Sequence, residues 1–127
     1  MEETIIDNKE SILITIKKLM GIDKDCTEFD MDIITNINSS FVELKRLGAG
    51  PKEGFEIEDE TTKWSDYTQD KNLRNVVKGY IHKKARLAFD PPTSSWVAES
   101  LKEMIKEHVF DIQMIVDTGG DKYNVDI

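Results

Sequence analysis

Few side chains in this 127-residue chain have the chemistry of a catalytic or metal site, and their spacing argues against one. The single cysteine, Cys26, and the two histidines, His82 and His108, never approach the spacing of a metal-ligand set. A cysteine–histidine nucleophile pair has no local support. His108 falls on the apolar side of a helical pattern, which suits a hydrogen-bonded core or interface histidine. Asp23, Asp25 and Asp30 suggest a calcium loop, but the position for the sharp-turn glycine holds Glu28 and that for the bidentate glutamate holds Ile34. The run from Gly48 to Gly54 is glycine-rich, yet its last glycine is one residue late for a dinucleotide fingerprint. It also follows a helical pattern and lacks the Lys-Ser/Thr pair of a phosphate loop. Asn38-Ser39-Ser40 matches a glycosylation triplet with no secretion signal to support it. The sequence therefore predicts no catalytic residue, no metal and no cofactor.

What stands out instead is large residues beside helix breakers. Gly48-Ala49-Gly50-Pro51 leads into Phe55-Glu56-Ile57 and then Trp64-Ser65-Asp66-Tyr67. Because the surrounding loop is polar and offers little core, Trp64 and Tyr67 are expected to anchor a subunit interface, where aromatic residues are enriched. The second phrase is Phe89-Asp90-Pro91-Pro92, continuing to Trp96. It reads as a rigid elbow between antiparallel helices, with Phe89 or Trp96 covering the end of the core. Trp96 is the alternative interface anchor.

The elements that would position these residues are mostly helical. A first helix is expected from about Asn8 to Met20, capped by Asp7 or Asn8, with Ile12, Ile16 and Leu19 as its stripe. Asp30 should cap a second, with Ile33, Ile37, Phe41 and Leu44 on one face, ending at Leu47-Gly48. Residues 48–68 break the pattern and read as an irregular loop or short β-hairpin. A third helix should run from Lys71 to Ala88 and stop before Pro91. A fourth should start near Thr93 to Ser95 and carry Val97, Leu101, Met104, Ile105, His108 and Ile112, its signal fading from Met114 to Asp117. The fold class is all-α: a four-helix bundle-like subunit over residues 1–117, with an extended C-terminal tail over 118–127. In that tail Tyr123, Val125 and Ile127 alternate with polar residues, as in a half-buried strand seeking another chain's sheet edge.

Composition agrees with a packed domain and excludes several classes. The chain is 39% hydrophobic and 33% charged, and its apolar runs are far too short to span a bilayer. Its acidic first residues do not read as a secretory signal, and one cysteine permits no intrachain disulfide. A net charge of -8 opposes wrapping nucleic acid. The charge is uneven. Residues 1–70 hold seventeen acids and eight bases, and residues 71–127 hold eight and nine. Glu56, Glu58, Asp59 and Glu60 concentrate the acid, whereas 71–89 carries Lys83, Lys84 and other bases with no acid. Such separation suits contacts between copies, so these residues are candidates for a subunit interface.

Several phrases together resemble the small head-tail connector (adaptor) proteins of long-tailed bacteriophages. They are Ile16-Lys17-Lys18-Leu19-Met20-Gly21-Ile22, the run from Phe29-Asp30 to Ile37-Asn38-Ser39, Leu47-Gly48-Ala49-Gly50-Pro51, Trp64-Ser65-Asp66-Tyr67, and Phe89-Asp90-Pro91-Pro92-Thr93-Ser94-Ser95. The similarity covers about residues 11 to 108, and the last phrase is its most specific part. Lys106-Glu107-His108-Val109-Phe110-Asp111 departs from the Glu-rich, Trp-Arg-like ending common in that family.

The resemblance implies a structural virion protein with no enzymatic activity, assembled in the host cytoplasm. About a dozen copies would form a ring under the portal. The ring would join the head to the next neck or tail protein, such as a stopper or tail-completion protein, and leave a channel for DNA. It further implies that the tail, through Tyr123, Val125 and Ile127, reaches the portal. Two alternatives remain from the residues alone: a small helical DNA-binding regulator using 71–86, and an accessory subunit of an enzyme with a site in the 48–68 loop.

Overall fold

Ser11 starts the first helix: its backbone is extended and its hydroxyl accepts the Ile14 amide at 3.2 Å. The computed structural model describes residues 10–119. Within them α1 spans Ile12–Leu19, α2 Asp30–Arg46, α3 Trp64–Tyr67, α4 Lys71–Phe89 and α5 Ser95–Thr118. The expected start of α1 near Asn8 is corrected. The chain just before Ile12 is held by the 62–64 segment, through an isolated antiparallel bridge between the extended Ser11 and Lys63. The Ile12 amide donates to the Thr62 carbonyl and the Trp64 amide to the Glu10 carbonyl, at 3.0 and 3.1 Å. Residues engaged in that bridge cannot also be helical. The proposed caps Asp7 and Asn8 lie outside the described residues.

Asp30 is the first helical residue of α2, not its cap; Phe29 holds the cap position without a side-chain bond. Asp30 serves a different purpose. Its carboxylate lies 2.8 Å from the ammonium of Lys17, which is almost wholly buried and also donates to the Lys24 carbonyl at 3.1 Å. This pair ties the end of α1 to the start of α2. At the far end Lys45 and Arg46 favour the helix dipole.

Residues 48–63 form no hairpin; among the described residues there is only the isolated bridge. The alternation at Phe55 and Ile57 has another cause. Asn38 on α2 accepts the Ile57 amide at 2.8 Å and donates to the Ile57 carbonyl at 3.0 Å. A side-chain amide therefore satisfies the extended backbone that a neighbouring strand would otherwise pair. α3 is a fifth helix beyond the four expected, a single turn too short to show periodicity. The Lys63 amide donates to the Asp66 carboxylate at its start, at 2.9 Å.

The last two helices follow the sequence closely. Asp70 caps α4, accepting the Asn72 and Leu73 amides, and Ser94 caps α5. α5 continues to Thr118, past the point where its apolar spacing fades, and closes on Gly119 at φ +64°. The two run antiparallel, with His108 against Gly79 and Lys83. A Cβ at Gly79 would sit 2.9 Å from His108 Nε2, so a glycine here allows the close approach. α4 packs on α5 and also on α2 and α1, whereas α5 rests mainly on α4. The core gathers Ile12 and Ile16 of α1, Ile37, Phe41 and Leu44 of α2, and Val77 and Ile81 of α4. Each such side chain contributes roughly 1.5–3 kcal/mol on burial. Among the described residues no helix is long and apolar enough to cross a membrane.

Candidate assembly interface

The expectation that Trp64 and Tyr67 lack an intrachain core is overturned. Trp64 is 0% exposed. Its indole N–H donates to the Thr15 hydroxyl at 3.0 Å, and the Lys78 ammonium lies 5.6 Å from its ring. Tyr67 is 4% exposed and packs its ring 4.9 Å from Phe41 and 5.2 Å from Phe55. Burial raises the Tyr67 phenol's pKa. Gly50 at φ +86° lies against the same ring, where a Cβ would come within 2.6 Å. The loop itself supplies Phe55 and Gly50, whereas Thr15, Phe41 and Lys78 come from α1, α2 and α4. The loop's acids point outward while Phe55, Ile57, Trp64 and Tyr67 turn in. That split was readable in the alternation of Phe55-Glu56-Ile57-Glu58, but the polarity of the segment obscured it.

The two charged segments behave differently. Glu56, Glu58, Asp59 and Glu60 are all exposed. Asp59 accepts from the Thr61 hydroxyl and amide, which holds its carboxyl below the ordinary value. The basic run on α4 is instead partly absorbed within the subunit. Arg74 is buried and donates to the Thr68 carbonyl at 3.1 Å. Lys84 lies 3.4 Å from the Glu43 carboxylate, which also accepts the Tyr80 hydroxyl at 2.6 Å. Lys83 is 3.1 Å from His108 Nε2, a contact that needs the neutral imidazole as acceptor. Burial and the Lys83 charge both lower the His108 pKa, although Asp111 and Glu107 oppose them. Burial also lowers the His82 pKa, with help from Lys83 and Arg86.

At the elbow, Asp90 ends α4 and donates its amide to the Arg86 carbonyl at 2.8 Å, and Pro91-Pro92 then lead into the cap of α5. Phe89 keeps part of the role expected for it. It lines a shallow groove with Met20, Ile22, Phe29 and Ile33 at the end of the bundle. Trp96 does not cover the core; it is 77% exposed on the first turn of α5. Sequence reasoning also passed over other large exposed side chains. Phe110 stands out on α5, and Met31 and Val42 on α2, while Met104, expected on the apolar face of its helix, is 44% exposed. Trp96 and Phe110 are fourteen residues apart, so their spacing puts them on one face of a helix but does not say whether that face is covered. Tyr123, Val125 and Ile127 lie outside the described residues. Among the described residues no group of three or more metal-ligating side chains could hold a metal ion.

Exposed aromatic and charged side chains of this kind suit assembly. No curated protein and no solved structure matches the chain. A family match does exist: residues 12–119, nearly everything from the first helix to the cap of the last, match the phage connector protein family. The chain belongs to that family, and its role is that of a structural connector of the phage particle.

Proposed function

We propose that the protein is a head-tail connector whose copies close into a ring, about a dozen strong, below the portal of the phage head. The ring joins the portal to the next neck or tail protein and leaves a channel through which DNA passes. It acts through binding and geometry and catalyses no reaction. It is made in the host cytoplasm and functions in the virion. The observation that carries this reading is the family match over residues 12–119. Two features of the surface support it. The exposed acids of 53–60 repel phosphate and so suit a protein that lets DNA slide past. Large hydrophobic side chains on the outer helices suit burial by neighbours. The regulator reading is weakened because Arg74 is buried and Lys84 is paired with Glu43, which engages two of the six bases of α4 within the subunit.

The test is to mix the purified protein with portal rings of its phage and image the product. A closed ring coaxial with the portal is the expected result. Monomeric binding, or no binding at any salt concentration, would refute the proposal.

A further inference from the structure

The outer faces of α2 and α5 carry the two halves of a contact that the single subunit leaves open. On α5 the residues Trp96, Glu103 and Phe110 recur every seven positions and share one line facing away from α4. Trp96 is 77% exposed and Phe110 61%. On α2, Met31, Val42 and Arg46 share the line opposite the buried Ile33, Ile37, Phe41 and Leu44. Met31 is 81% exposed and Val42 58%. Among the described residues neither row is covered, because α5 rests mainly on α4. Next to Val42 opens a groove floored by Phe41 and Phe55, wide enough at about 510 Å³ to take an aromatic ring.

Charge selects the occupant. The outer face of α5 is lined by Glu99, Glu103 and Glu107, while the end of α2 presents Lys45 and Arg46, all of them exposed. The flanking Lys102 and Lys106 of α5 find their counterpart in Glu53 and Glu56, which rim the groove beside Val42. Their present partners, Glu99 and Glu103, are exposed pairs at 3.5 Å that yield readily to others. We propose that the α5 face of one copy docks on the α2 face of a second copy, with Phe110 entering the groove beside Val42. The two faces differ, so the contact is heterologous and repeats around a closed circle. The inference rests on the ring reading above and names the surfaces that build the ring.

Cross-linking decides it, in a Cys26→Ser background that leaves no native thiol. Val42→Cys and Phe110→Cys are placed in one chain, assembled on portal rings and treated with a short bismaleimide. A ladder of covalent oligomers ending at the ring is expected. Either substitution alone should give no covalent dimer, whereas a mixture of the two single variants should give dimers. Homodimers from one single variant, or a ring that forms but does not cross-link, would remove the inference and leave the ring reading standing. If no ring forms with the unsubstituted protein, the ring reading fails and the inference with it. A charge exchange supplies the second measurement. Glu103→Lys and Arg46→Glu should each weaken assembly at low salt by about ten-fold, and together restore it to within about three-fold. No recovery in the double variant overturns the pairing.

Discussion

Trp64 and Trp96 occupy opposite settings. Trp64 sits in a polar, irregular segment and is fully buried, whereas Trp96 sits on a regular helix and is mostly exposed. The loop around Trp64 is drawn inward by hydrogen bonds of its backbone to the backbone of Glu10 and Ile12 and to the Asn38 side chain, so its side chains are presented to α1, α2 and α4. The helix carrying Trp96 buries one side against α4, and its other side meets no other helix among the described residues. Regular structure is therefore no guide to burial here. What decides it is how many sides of a segment meet the rest of the chain.

The comparison breaks if the two tryptophans respond alike to truncation. Trp64→Ala removes a fully buried indole and should lower the subunit's unfolding free energy by about 3–5 kcal/mol, read from urea denaturation. An effect below about 1 kcal/mol would mean that the loop is not part of the core. Asn38→Ala should be the next largest, at about 1–3 kcal/mol, because it orphans the Ile57 amide and carbonyl. Amide exchange at Ile57 should accelerate in parallel. Gly50→Ala should cost about 1–2 kcal/mol, since a left-handed backbone and the Tyr67 ring both oppose a Cβ. Unchanged stability would show that the loop moves easily off Tyr67.

Acidification sharpens the picture of the α4–α5 contact. The folded-state pKa of His108 lies below its ordinary 6.5, so the unfolded chain binds the proton first. Stability should fall as the pH drops below about 6.5, and His108→Asn should flatten part of that slope. His82 contributes in the same sense and should account for a share of what remains. The smallest effect is expected at the exposed tryptophan. Trp96→Ala should change subunit stability by under about 0.5 kcal/mol while weakening assembly.

The helical part of this fold was legible because each long helix carries its own signals. Ser94, Gly48 and Pro91 mark the ends of helices, and the apolar spacing of α2 and α4 marks their inner faces. The 48–68 segment was not legible for a physical reason. Its order depends on partners far away in sequence, such as Asn38 for Ile57 and Thr15 for Trp64, and no local pattern reports them. The same reasoning explains the interface residues. Burial of Trp64 could not be read from its polar neighbours, and exposure of Trp96 and Phe110 depended on knowing that α5 has a single large partner.

The Trp64–Thr15 hydrogen bond joins residues 49 positions apart, whereas the α4–α5 pair closes through a short elbow. Chain entropy therefore sets an order of events. The hairpin of α4 and α5 can form early from neighbouring segments, but the contact of α1 with the loop must wait for that segment to return. Weakening the Trp64 contact should then speed unfolding and leave the folding rate nearly untouched, a split that stopped-flow measurements would resolve. On the proposed ring reading, a copy is ready for its neighbours only once this contact has closed.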